Sequence, residues 1–301
     1  MKKILSVLLI IASLFCLTAC KEKITDDASA LNAYLYATAK QMKSNSSVMD
    51  GSVEFSMVVE DMLTNVSGTF SSESVLSPDF GTKVNLDLDL GTMGMSIPFP
   101  IEMYMVEKDG EMLMYMNILG MWGYEAVPVE YDYQEILKEM QSEKYIESCT
   151  TMIKNCVSAK YNGITKVNDV SVYDIDIILN SNLGTELAKF LVDSGMVEDL
   201  GELSSSEELA EVGKVFEGIS YKAYLNKKDN SLFGVSIVLD EIIQKIVDNI
   251  KYELGEDLSG EMPEIKGSMA IYYLDEKVEG SITIPEEAEE TAVPFGEMFM
   301  M

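Results

Sequence analysis

From Ser52 to Val127 apolar and polar residues alternate, and the alternation is interrupted only by short polar or glycine-bearing breaks. Period two over five to ten residues is the signature of a half-buried strand. Six stretches carry it: "SVEFSMVVE" (52–60), "NVSGTFSSESV" (65–75), "KVNLDLDL" (83–90), "IEMYMVE" (101–107), "EMLMYMNI" (111–118) and "WGYEAV" (122–127). In "KVNLDLDL", Val84, Leu86, Leu88 and Leu90 fall on one face and Lys83, Asn85, Asp87 and Asp89 on the other. One wet and one dry side suit an antiparallel sheet. "KDG" at 108–110 predicts a hairpin and "SPDFG" a further turn.

On either side of this meander the period lengthens. Asp27 to Lys43 predicts a helix with Leu31, Tyr34, Leu35, Thr38 and Met42 along one side and acidic residues at its start. A second helix is expected from about Tyr133 to Ser158, carrying Ile136, Leu137 and Met140. The rest reads as hairpin, helix, hairpin, helix, hairpin: "YNGITKVNDVSVYDIDIIL", the helical "TELAKFLVDSG" and "SSSEELAEVGKVF", "ISYKAYLNKKDNSLFGVSIVLD", "EIIQKIVDNIKYELG" and "GSMAIYYLDEKVEGSITIP". Asp240 would cap the last helix, Ile243, Ile246, Val247, Ile250 and Leu254 form its stripe, and Gly255 ends it. Asn168-Asp169, Asp229-Asn230 and Asp275-Glu276 mark the hairpin tips.

About a dozen sequence-adjacent strands with several amphipathic helices predict α+β architecture. The expected form is a large curved antiparallel sheet with helices over its concave side, because a long twisted sheet curls and exposes an apolar hollow. No proline-rich or glycine-serine linker divides the chain, so residues 28–301 are expected to form one domain with an acidic C-terminal tail.

Composition removes whole classes of chemistry. All 22 basic residues are lysine, and histidine is absent. Without histidine there is no Ser-His-Asp or Cys-His nucleophile system and no neutral-pH proton shuttle. Without arginine there is no bidentate fork for phosphate or carboxylate. The expectation is therefore a protein that is not an enzyme and needs no cofactor or metal. The formal net charge is −29, a field that repels nucleic acid and anionic lipid surfaces. No segment matches the spaced acidic loop of an EF-hand.

The first residues carry an address. Lys2 and Lys3 precede an apolar run from Ile4 to Leu17, which ends in "LTAC". That run is too short to span a bilayer, which takes about 20 apolar residues, and has the layout of a secretory signal. Its ending resembles the lipobox of bacterial lipoproteins, which implies cleavage after residue 19 and a lipid on Cys20. Several acyl chains anchor durably where one would be marginal. Residues 20–27 would then be a polar tether of roughly 20 Å, holding the domain at the outer face of the cytoplasmic membrane. Of the other cysteines, Cys149 and Cys156 lie seven apart with Met152 and Ile153 between them, one helical face. On a continuous helix their Cα atoms are about 10 Å apart, beyond disulfide reach; a break between them would permit the bridge.

The chain holds 21 methionines; Met103 and Met105 share one face of an expected strand, and Met112, Met114 and Met116 share one face of the neighbouring strand. Three readings apply: soft thioether ligands for Cu(I), plain sheet core, or an adaptable wall of a cavity for an apolar guest. These five residues and the lone Trp122, beside the stripe, are the candidate cavity lining, with Trp122 as an occupancy reporter. Asp87/Asp89 and Asp174/Asp176 read as solvated strand faces.

The lipobox, the short tether, the helix "ALNAYLYATAKQM", the meander and the hairpin "YKAYLNKKDNSLFGVSIVL", with its asparagine-containing turn from Asn226 to Phe233, together resemble the extracytoplasmic lipoproteins of the LolA and LppX type. The resemblance spans residues 28 to 285 and implies an incomplete β-barrel closed by helices around a hydrophobic cavity. It implies a membrane-anchored protein that binds or carries a lipid, acyl chain or other hydrophobic ligand; the alternative is a non-catalytic envelope interaction or sensor module with a filled core. LolA-type carriers use an arginine in the cavity, and this chain has none.

Overall fold

The computed structural model describes residues 23–59, 62–76, 79–92, 95–108, 110–127, 133–193, 213–214, 216–240, 242–245, 264–274 and 278–298. Its strands belong to a large, mostly antiparallel sheet of 12 strands accompanied by helices, an α+β fold as expected. Two compact units divide the chain.

The larger run of strands lies in the unit formed by residues 44–137 and 262–301. It comprises β1 (Ser46–Val59), β2 (Met62–Val75), β3 (Gly81–Thr92), β4 (Met95–Lys108), β5 (Glu111–Ile118) and β6 (Met121–Val127), each antiparallel to the one before. All six strands read from the sequence are present, most of them longer than the alternation alone marked.

The other unit, residues 1–43 and 138–261, contains α1 (Asp27–Met42), α3 (Glu143–Cys156), β7 (Val157–Val167), β8 (Val170–Leu179), α4 (Leu183–Asp193), β9 (Ser220–Asn226) and β10 (Leu232–Val238). The strands follow the order β10-β9-β8-β7. Ile175, Ile177, Ala223 and Leu225 are fully buried on the face that α1 packs against. On α1 the small Ala30, Ala33 and Ala37 are buried beside Tyr34, which lets the helix come close to the strands. The hydroxyls of Tyr34 and Tyr221 lie 2.8 Å apart in this core. Burial pushes the Tyr221 phenol well up, so it is a neutral hydroxyl.

The last residues of the expected tether are docked. Ile24 is buried, Asp26 and Ser29 form a reciprocal capping box, and Asp27 Oδ1 accepts a hydrogen bond from the Tyr161 amide on edge strand β7.

The expected long helix over 133–158 is two helices, α2 (Tyr133–Met140) and α3, because Ser142 leaves the helical backbone and caps α3, accepting from the Tyr145 amide. The break precedes the cysteines. Cys149 and Cys156 sit on one uninterrupted helix as buried thiols that form no disulfide, and burial pushes the Cys156 thiol up to about 12.

The last expected hairpin, over 267–285, is replaced by a single strand, β11 (Glu264–Tyr273), paired with β1. The following Ile282 and Ile284 alternate as a strand would, but they pack on the face of the sheet formed by Tyr104, Tyr115 and Trp122. After them come α5 (Glu286–Thr291), the two-residue β12 (Val293–Pro294), parallel to β6, and α6 (Phe295–Met298). Most of the helix expected over 241–255 lies outside the described residues; within it 242–245 are helical.

Candidate functional site

Directly paired residues of an antiparallel sheet point to the same side, so register decides which side chains share a face. Lys108 pairs with Glu111, two residues further on in the sequence than its neighbour on the same strand would be. Met103 thereby faces Met116, Met105 faces Met114, and Glu107 faces Met112. The five candidate methionines are brought together on one side of β4 and β5.

The face extends well beyond them. Val84 pairs with Met103 and Leu86 with Ile101, and in turn Phe70 pairs with Leu86 and Val66 with Leu90. Gly51 lies opposite Phe70, and a Cβ at Gly51 would fall 2.2 Å from the Phe70 ring, so the ring folds across the glycine. Met269 pairs with Val53 and Ile265 with Met57. From β11 to β6 one side of the sheet is thus a continuous apolar floor, with Glu107 and Glu125 as its charged positions on β4 and β6.

This floor is unevenly covered. Met112 is 1% exposed. Met103, Met105, Met114 and Met116 are half-buried, as are Phe55, Phe70, Val84, Leu86, Leu88 and Ile101. Half-buried apolar side chains retain surface for a guest, which a closed core does not.

Trp122 lies on the opposite side. A two-residue turn, Leu119-Gly120, pairs Met121 with Ile118 and Trp122 with Asn117, away from the methionines. There Trp122 packs with Tyr104 (ring centroids 6.1 Å apart), Tyr115 and Ala288. Lys83 completes this back face, lying 5.4 Å over the Tyr104 ring and 3.4 Å from Glu102, to which the Tyr104 hydroxyl also donates. Burial, then the Glu102 contact, raises the Tyr104 phenol above its usual range. The structure therefore separates the candidate lining into five residues that meet and one that does not. A tryptophan behind the sheet is a poor reporter of what sits in front of it.

Two features of the face went unread in the sequence. The first is its breadth over β1, β2, β3 and β11, which only register reveals. The second is the C-terminal segment. It crosses from the back face, where Ala288 is buried, adds β12 at the edge of the sheet beside β6, and places Phe295 and Met298 against Gly123, which is the partner of Met116 on the methionine side.

Asp87 and Asp89 are exposed on the back of β3, a solvated face as expected. Asp174 and Asp176 are not free: Lys222 donates to both, at 2.8 and 3.2 Å.

No family model matches this sequence, and no curated protein is significantly similar to it. Among solved structures the chain is similar to LprF from Mycobacterium bovis, at 11% identity and TM-score 0.40 over 87% of this chain and 99% of that one. It is also similar to the Mycobacterium tuberculosis lipoprotein LppX, at 10% identity and TM-score 0.36 over 85% of this chain and 100% of that one. A third is a putative outer membrane lipoprotein-sorting protein domain from Vibrio parahaemolyticus, at 8% identity and TM-score 0.23 over 85% of this chain and 96% of that one.

Proposed function

We propose that this chain is a lipoprotein anchored through Cys20 outside the cytoplasm, and that it holds an apolar or amphiphilic guest, a lipid or acyl chain, against the methionine face. The role is binding rather than catalysis, in keeping with a sequence that has neither histidine nor arginine. One observation carries the reading: a continuous apolar floor in which Met103, Met105, Met114 and Met116 remain half-buried. Methionine suits such a floor because its unbranched, polarizable side chain repacks around guests of different shape. Without arginine and with net charge −29, the protein favours neutral or cationic head groups, or only the tail of an anionic lipid.

The test is native mass spectrometry of the chain purified from its own host, followed by solvent extraction. The expected result is a co-purifying apolar molecule that is lost when Met103→Glu and Met114→Glu are combined, since a carboxylate on the floor must be desolvated by the guest. An empty chain that also takes up neither fatty acids nor phospholipids on titration overturns the proposal.

A further inference from the structure

The methionine face is buried at one end and open at the other. Met112 is 1% exposed, whereas at the end where β4 begins Met95 is 61% and Ile97 51% exposed. Ile97 pairs with Leu90 and Met95 with Thr92, so both continue the apolar floor outward. At the same end the β5–β6 turn carries Leu119, 59% exposed, and Met121, 45% exposed, the latter again on the methionine side opposite Ile118. At about 3.4 Å per residue along strands and 4.8 Å between them, the four side chains span roughly 20 Å of rim.

The turn itself is costly. Leu119 has φ 54 and Gly120 φ 86, the two left-handed positions of a hairpin turn that favours Asn-Gly. Asn117 Oδ1 accepts the Gly120 amide at 2.8 Å and fixes this tip. A leucine there is both strained and solvent-exposed, and nothing in the turn's own geometry asks for it. In a chain with 51 acidic residues, the stretches "MGMSIPFPI" (93–101) and "NILGMWGY" (117–124) hold no charge. The carboxylates nearest in register both lie on the back face: Asp89, opposite Pro98, accepts from Ser96 Oγ at 2.8 Å, and Glu102, opposite Asn117, accepts from the Tyr104 hydroxyl.

From these observations we infer that Met95, Ile97, Leu119 and Met121 form a membrane-contacting rim that seats in the interface of a neutral lipid bilayer, so that the methionine face opens directly onto hydrocarbon. An uncharged apolar rim matches a zwitterionic surface, while the acidic remainder of the protein stays in water. Continuity of the rim with the floor, by strand register, gives a lipid tail one unbroken apolar path. The inference rests on the proposed function for its purpose, but the membrane contact is measurable without any guest.

The full chain is reconstituted into phosphatidylcholine vesicles with brominated acyl chains. Leu119→Trp and Met121→Trp are compared with Ile164→Trp on β7, an equally exposed position outside the rim (48%). Wild-type protein supplies the Trp122 background. Both rim variants are expected to be quenched at least twofold more than Ile164→Trp, with blue-shifted emission. Rim tryptophans quenched no more than Ile164→Trp overturn the inference. The co-purifying mass is read on the same preparations. A loaded chain with an unquenched rim removes the rim alone; an empty chain with a quenched rim removes the guest and leaves the membrane contact standing.

Discussion

Gly123 is the point where the C-terminal segment is held on the methionine side, and Gly123→Ala probes it most directly. A Cβ there would lie 2.4 and 2.6 Å from two atoms of the Phe295 ring and 2.8 Å from the Met298 sulfur, closer than side-chain atoms approach. The ring has to move. It follows immediately on Val293 and Pro294, which pair with Gly123 and Tyr124, so its displacement pulls either on this short parallel pairing or on Met298, 2% exposed. Overpacking a tight site costs about 1–3 kcal/mol, and re-exposing a buried methionine forfeits about 1.5–3 kcal/mol. Detachment of 293–298 caps the loss, so these figures are alternatives, and the expected cost is about 1–3 kcal/mol. At about 1.4 kcal/mol per tenfold, amide-exchange protection over 293–298 should fall between about fivefold and a hundredfold, while β2 and β3 stay as protected as before. Phe295→Ala in the Gly123→Ala background should recover part of the loss, because the two changes share one contact. Protection over 293–298 within twofold of wild type would refute the placement of Phe295 on this face.

Three further outcomes follow from the other unit. Ser142→Ala removes the cap that separates α2 from α3 and should cost about 1 kcal/mol in urea unfolding, whereas Ser142→Asp should keep most of the stability. Cys149 and Cys156 should resist a thiol reagent in the folded protein and react on denaturation, since both are buried and burial holds the Cys156 thiol up to about 12. Burial pushes the Asp176 carboxyl up, but hydrogen bonds from Asn162 and Lys222 outweigh it and hold it below the ordinary aspartate range. A depressed carboxylate adds stability above the unfolded value of about 4 and loses it as pH falls through the folded one. Lys222 is exposed by more than a third, so Lys222→Met should cost under about 1 kcal/mol at neutral pH. In acid unfolding curves that difference should vanish once both aspartates are protonated; a gap that persists there would mean the contact is not ionic.

The strands were legible because period two is a local property: "KVNLDLDL" announces its two faces whatever lies beside it. Their partners and the limits of longer elements were less so. Ile136, Leu137 and Met140 fall on one helical face and Tyr145, Ile146, Cys149 and Met152 on nearly the opposite one, so a jump of phase at Gln141-Ser142, with the capping preference of serine, marks where α2 stops. Ile282 and Ile284 satisfy the alternation of a strand while packing on the back of the sheet, since spacing cannot tell pairing from packing. The six residues "VPFGEM", which hold the edge of β6, are too short to show any period.

The misplacement of Trp122 is of another kind, because the sequence held the answer. A two-residue turn joins positions whose numbers differ by an odd amount, so parity switches across it. Between β4 and β5, where Lys108 pairs with Glu111, this switch brings odd-numbered Met103 and Met105 to even-numbered Met116 and Met114. Across Leu119-Gly120 it switches again, which puts Met121 and Gly123 in front and Trp122 behind. Parity, carried strand by strand, turns six separate alternations into one apolar floor. The same step shows why methionine gathers at β4 and β5: there the floor passes from the covered Met112 toward the exposed Met121, and a side chain that adapts to either surrounding fits both.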